Sequence, residues 1–331
     1  MNFTALEASG QVNALFGKYE APIVSAILET EEAWQEREIA PRIFREVSSD
    51  NYAESYISIT AADDWEPVGE NGAHPNNGFR QGFDKTIKNT TWKTNFSISR
   101  ELADDGKVTD MTQLARRKAG SFYRTRERFF AKMLCEALKG NSSMDFGGES
   151  FDISCADGNP MFYASHPPKV SGAAQSNIFK DAFSTANLFK AMTAMQNLKG
   201  DNDEILDMNP DTIIIPNIAS LKADVYAAVA SLQKPGTTNN DVNPLFEKVD
   251  IIVWPYLNQF LGTLSAPWLI MDSQYMLDHD CAIHQNRVPM EMKDRIGNND
   301  EFIWDGYARF GGGFVDWRGL MACGIASASE L

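Results

Sequence analysis

DMTQLARRKAGSFYRTRERFFAKMLCEALK, residues 110–139, is the clearest helix in the sequence and the stretch on which the fold turns. Asp110 and Gln113 have capping-box spacing, in which each side chain satisfies a backbone N–H of the other. Met111, Leu114, Ala115, Phe122, Phe129, Phe130, Met133, Leu134, Ala137 and Leu138 recur at helical spacing before Gly140 ends the run. Thirty residues at about 1.5 Å each make a rod of about 45 Å, enough to span a subunit. Its eight Arg and Lys face three acidic residues, a local charge of +5 in a chain whose net charge is −15. Either this is a solvated or salt-bridging face, or it touches a polyanion; Arg116, Arg117, Arg124 and Arg128 are the candidates for the second reading.

Upstream lie two strand signals. In residues 54–62, Ile57 and Ile59 alternate with Tyr56, Ser58 and Thr60. Residues 84–100 are Thr-rich, with Thr86, Thr90, Trp92, Thr94, Phe96 and Ile98 predicted on one face. A polar tip rich in Gly, Asn and Pro, residues 63–82, joins them into a long hairpin. Seventeen extended residues reach roughly 55 Å, against a radius of gyration of about 20 Å for a compact chain of 331 residues. The tip-proximal half has only Ile87 as a large apolar group, and a lone two-stranded ribbon is marginal in water. The reading is therefore a ribbon lying on a neighbouring chain; the alternative is two ordinary sheet strands joined by a loose loop.

Residues 1–49 read as an arm with short helical pieces around Phe16, Tyr19, Ile23 and Ile27, interrupted by Pro22 and Pro41. Downstream of the long helix, residues 141–176 are loop-rich. A compact α/β stretch follows: helix 185–198, buried strand 212–215, helix 217–232, and strands 250–254 and 268–271. Residues 301–322, around Gly311, Gly312 and Gly313, read as a strand pair returning to the sheet beside the long helix, with the glycines at a bulge or tight turn.

The composition excludes several classes. With 43% apolar residues the chain is globular. It has no run of about 18 apolar residues and no signal-peptide pattern near Met1, so a cytoplasmic site of synthesis and no membrane partner are expected. A pI near 4.7 opposes wholesale nucleic-acid binding. Cys135, Cys155, Cys281 and Cys323 form no C-x-x-C or zinc spacing and read as isolated buried thiols. Asp278, His279 and His284 are the best-looking metal or acid/base cluster, yet two His five apart do not converge on a helix or a strand. His166 is placed to pair with Asp157 in a hydrogen-bonded turn. The acidic run 201–211 lacks EF-hand spacing. No catalytic, cofactor-binding or metal site is assigned, and no cofactor is expected.

Phe83-Asp84-Lys85-Thr86-Ile87, then Phe96-Ser97-Ile98-Ser99-Arg100-Glu101-Leu102-Ala103-Asp104-Asp105, the long helix, Asp157-Gly158, Phe162-Tyr163 and His166-Pro167 resemble the wording of Mu-like major head subunits. The order of parts over nearly the whole chain resembles the tailed-phage major capsid protein of the Hong Kong 97 type. The resemblance implies an α+β capsid fold: arm 1–50, E-loop hairpin 51–100, peripheral domain 101–178 with a spine helix at 110–139, axial domain 179–299 and closing peripheral strands 300–331. It implies hexamers and pentamers of an icosahedral head assembled in host cytoplasm, with a separate scaffolding protein, portal and head protease, and weak nonspecific contact with packaged double-stranded DNA. Phe79, Arg80, Lys85, Lys88 and Trp92 are its candidate intersubunit residues. Some relatives crosslink a hairpin Lys; Lys85, Lys88 and Lys93 fit by type alone, and no crosslink is expected. An encapsulin-like shell, a tail or baseplate component, and an α/β hydrolase using Asp278, His279 and His284 are the competing readings.

Overall fold

The computed structural model describes residues 14–59, 67–70, 72–74, 81–105, 108–232, 242–246, 248–299 and 301–325. In order these form α1 (Ala14–Gln35), α2 (Ala40–Ile43), β1 (Arg45–Ser48), β2 (Ala53–Ile59), β3 (Gln81–Lys88), β4 (Thr90–Ile98), α3 (Arg100–Asp104) and α4 (Val108–Leu138). There follow β5 (Ser143–Phe146), β6 (Glu149–Asp152), β7 (Ile178–Phe179), α5 (Thr185–Gln196), β8 (Thr212–Pro216), α6 (Ala219–Val229) and β9 (Asp250–Trp254). The last are β10 (Trp268–Met271), α7 (Ser273–Asp278), β11 (Ala282–Ile296), β12 (Phe302–Phe314) and β13 (Leu320–Cys323).

Two sheets dominate, in the orders β1-β11-β12-β4 and β7-β13-β10-β8-β9. The second is the α/β stretch read from the sequence: all five residues of β8 are buried, and α5 and α6 bury Leu188, Ala191 and Met195, and Leu221, Val225 and Ala228. The spine helix α4 lies along the first sheet. Phe129 and Phe130 of α4 meet Trp92 of β4, Phe310 of β12 and Phe44 in an aromatic cluster with centroid separations of 4.7–6.4 Å. Burying each such ring stabilises by about 1.5–3 kcal/mol relative to exposure.

Five expectations are corrected. The Thr-rich segment is two strands, because Asn89 breaks the two-residue period: Lys85, Ile87 and Asn89 face inward on one parity, and Ile98 on the other. Asn89 donates through Nδ2 to Ser49 Oγ (2.7 Å) and Asn51 O (2.9 Å), which pins the chain there. Consequently β3 pairs with β2, from Ala53↔Lys88 to Ile59↔Gln81, while β4 pairs with β12. The described ribbon is thus about seven residues per strand, roughly 23 Å.

Pro22 does not break the arm helix. α1 runs 22 residues through it and lies alongside α4 in the same direction, joined by Glu29–Arg116, Trp34–Tyr123 and Glu38–Arg126. Burial of Ile23 and Ile27 against Met111, Ala115 and Ala119 offsets the local cost of the proline. The C-terminal pair parts company: β12 enters the first sheet and β13 the second, between β10 and β7. Residues 282–296, expected within the axial segment, form β11 of the first sheet.

The three glycines lie inside β12, not at a turn. A Cβ on Gly311 would sit 2.3 Å from Lys88 O, and one on Gly312 would sit 2.4 Å from Phe130 Cε1. Glycine lets the backbone of the hairpin root and the Phe130 ring of the spine helix lie directly against the strand.

Candidate assembly surfaces

The root of the hairpin is fastened to its own subunit. Lys85 is buried, with Nζ 2.6 Å from Asp152 Oδ2 and 2.9 Å from Ser154 Oγ. Burial raises the Asp152 carboxyl, but the bonds from Lys85 and Ser154 outweigh it and hold the group below its ordinary range. Ile87 packs with Ile283, Val315 and Tyr56, whose hydroxyl accepts from Gln285 Nε2 at 3.0 Å. The opposite face is open: Ile57 is 52% exposed, and Ser55, Asp84, Thr86 and Lys88 lie in solvent beside it. Tyr52, next to the root, is also exposed.

Of the candidate contact residues, Lys88 is thus exposed and Lys85 faces inward. Trp92 is half-buried and stacks on Phe310 at 4.7 Å. Phe79 and Arg80 lie outside the described residues, as does most of the tip.

The spine helix spends much of its positive charge internally. Arg116 meets Glu29 at 2.7 Å, Arg126 pairs with Glu38, Arg128 Nε donates to Gln259 at 3.1 Å, and Lys132 donates to Asp145 O. Arg117 and Arg124 are exposed. The acidic partners come from α1 and the turn after it, a neutralisation that α4 alone does not reveal.

The hydrolase cluster is not assembled. His279 caps α7 and stacks on Tyr275 at 3.9 Å, whereas His284 is buried in β11 against Phe130 at 4.8 Å. Asp278 accepts from Gln274 on the surface. Burial, with Arg126 nearby, pushes the His284 imidazole down to about 3, so it is neutral. Among the described residues no group of three or more His, Cys, Asp or Glu is placed to hold a metal ion, and no helix is long and apolar enough to cross a membrane. His166 Nδ1 does bond Asp157 Oδ2, at 2.6 Å, while its ring stacks on Trp317 at 4.3 Å. All four cysteines are free and buried, and burial pushes the Cys135 thiol up to about 12.

A long helix along one sheet, a fastened ribbon with an open face, and a separate α/β sheet therefore make up the molecule. Residues 84–322 match the family described as phage capsid protein. The chain belongs to the phage capsid protein family. Its fold is also that of solved capsids. The capsid of the cyanophage P-SCSP1u matches with a TM-score of 0.52 at 10% identity, covering 88% of each chain. The capsid of Ralstonia phage GP4 matches with a TM-score of 0.53 at 9% identity, covering 86% of this chain and 87% of that one. No curated protein matches the sequence. This capsid protein thus has the mixed α and β fold of the Hong Kong 97 type, and its work is that of a phage shell. The encapsulin-like reading has less behind it, since the matching family is one of phage capsid proteins.

Sequence reasoning missed the residues that hold this capsid subunit's parts together. Asn89 is not singled out within the Thr-rich segment. Arg318, which the sequence reading does not single out, is buried between Asp201 (2.7 Å) and Asp316 (3.1 Å). Its flanking Trp317 and Gly319 were the available signal.

Proposed function

We propose that this chain is the major capsid protein of a tailed phage, of the Mu-like kind, self-assembling into hexamers and pentamers of an icosahedral head around double-stranded DNA. The observation that carries the reading is the hairpin: its inner face is bonded to its own subunit through Lys85 and Asn89, while its outer face shows Ile57 to solvent. Such a ribbon is completed by a neighbouring copy lying against Ile57, Lys88 and the tip with Phe79 and Arg80. Tyr226, Leu232 and Val242 are further exposed apolar residues of the axial segment and suit contact between axial regions around a capsomer axis. Arg117 and Arg124 suit weak contact with packaged DNA, and the overall charge of −15 limits tighter binding. The role is structural, without catalysis. Assembly takes place in host cytoplasm with a separate scaffolding protein, portal and head protease.

Deleting residues 63–82 tests this. The expected product is a folded, soluble subunit that elutes as small species and closes no shells in electron micrographs. Normal heads from the deletion variant would overturn the hairpin's role.

A further inference from the structure

Three separate parts of the chain meet at Glu127, in the middle of α4. Its side chain is on the inner face of the helix, and the residue is 2% exposed. Oε1 accepts the backbone N–H groups of Ile39 (2.8 Å) and Ala40 (2.9 Å), where α2 begins. Ile39 offers α2 no side-chain cap of its own, so the spine helix supplies the acceptor from 87 residues away. Oε2 accepts Trp254 Nε1 at 2.7 Å, at the end of β9 on the edge of the five-stranded sheet. One residue earlier, Arg126 grips Glu38 through two nitrogens and lies 5.7 and 5.3 Å from the Phe122 and Tyr123 ring centres. Two consecutive spine residues thus hold segment 38–40, and the second also holds the other sheet.

The ties on either side are weaker. α1 docks through small or β-branched residues and an exposed Glu29–Arg116 pair, and exposed ion pairs contribute little. A buried carboxylate that satisfies three donors is different, because removing it strands all three away from water.

We propose that Glu127 is a common latch, tying the N-terminal segment and the five-stranded sheet to the spine helix, so that its loss frees residues 36–44 without unfolding either sheet. A residue this placed sets how the arm leaves the body of the subunit, whether or not copies have assembled.

Hydrogen–deuterium exchange on the full-length, unassembled chain tests this. Glu127→Gln keeps the shape but points an amide donor at one set of donors. It should speed exchange at 36–44 by at least tenfold and shift the Trp254 emission, with β8, β10 and β12 protected as in the parent. Trp254→Phe leaves Oε1 and its two amides intact. It should speed exchange at 250–259 by at least threefold and leave 36–44 within twofold of the parent. Unchanged exchange at 36–44 in the Gln variant, or uniform acceleration across the chain in either variant, would overturn the latch. Should Glu127→Gln fail to fold, Trp254→Phe carries the test alone: exchange at 250–259 unchanged from the parent overturns the latch.

Discussion

The five-stranded sheet and the β2–β3 ribbon solve the same problem in opposite ways. Around β8 every side chain is covered by the subunit's own α5, α6 and neighbouring strands. The ribbon has one covered face and one left to solvent, with Ile57 on the open side. Two strands in isolation bury too little to stand alone, so the ribbon relies on its root. If the open face is the assembly contact proposed above, stability and assembly rest on different residues and are separable by mutation.

The widest separation should come from Ile214→Ala in the covered sheet, where a fully buried side chain leaves a cavity costing about 2–5 kcal/mol. Chemical denaturation should show that loss, with little soluble subunit left to assemble. A change under 1 kcal/mol would show that this sheet is not the anchor of the fold.

Next in size is an acid effect at His284. Its imidazole titrates near 3 in the fold against an ordinary value of 6.5, so the unfolded chain binds the extra proton between those limits. Stability is whole above about pH 6.5 and falls as the pH drops, by up to about 1.4 kcal/mol per pH unit. Urea midpoints should show the parent losing about 2 kcal/mol more than His284→Leu between pH 7 and pH 5. Parallel pH profiles would count against a neutral buried His284.

Asn89→Ala attacks the root of the ribbon and should cost about 1–3 kcal/mol, with faster amide exchange at 49–52 and 81–88 and an unaffected β8. Smallest in stability is Ile57→Ser on the open face, within about 0.5 kcal/mol of the parent but with fewer closed shells in micrographs. Equal assembly by that variant would remove Ile57 from the contact surface.

Legibility follows the same division. The spine helix was readable because thirty residues of 3.6-residue period and a terminating glycine agree with one another; it occupies 108–138. The strands at 212–216, 250–254 and 268–271 were readable as short apolar runs. The Asp157–His166 bond followed from proximity in a Pro-rich turn. The break at Asn89 was not readable, since what sets it is a hydrogen bond to Ser49, forty residues away. Strand β11 hid because its middle, Arg287 to Glu291, contains Pro289 and register shifts against β12. The glycine run gave a residue type but not its cause, because the atoms that demand it belong to Lys88 and Phe130. Contacts between distant segments decided each of these, and local patterning does not carry them. The open face of the ribbon was not legible: the apolar-poor stretch Lys85 to Thr91, read as tip-proximal, is the root, and its Ile87 is buried.

The short passage from β12 to β13 has a mechanical consequence. The chain leaves one sheet at Phe314 and enters the other at Leu320, and Val315 to Gly319 between them are all buried, with Arg318 gripped by Asp316 and Asp201. A connection this short and this tightly bonded is a stiff joint, not a hinge. The two sheets are thereby braced at a set angle within the subunit.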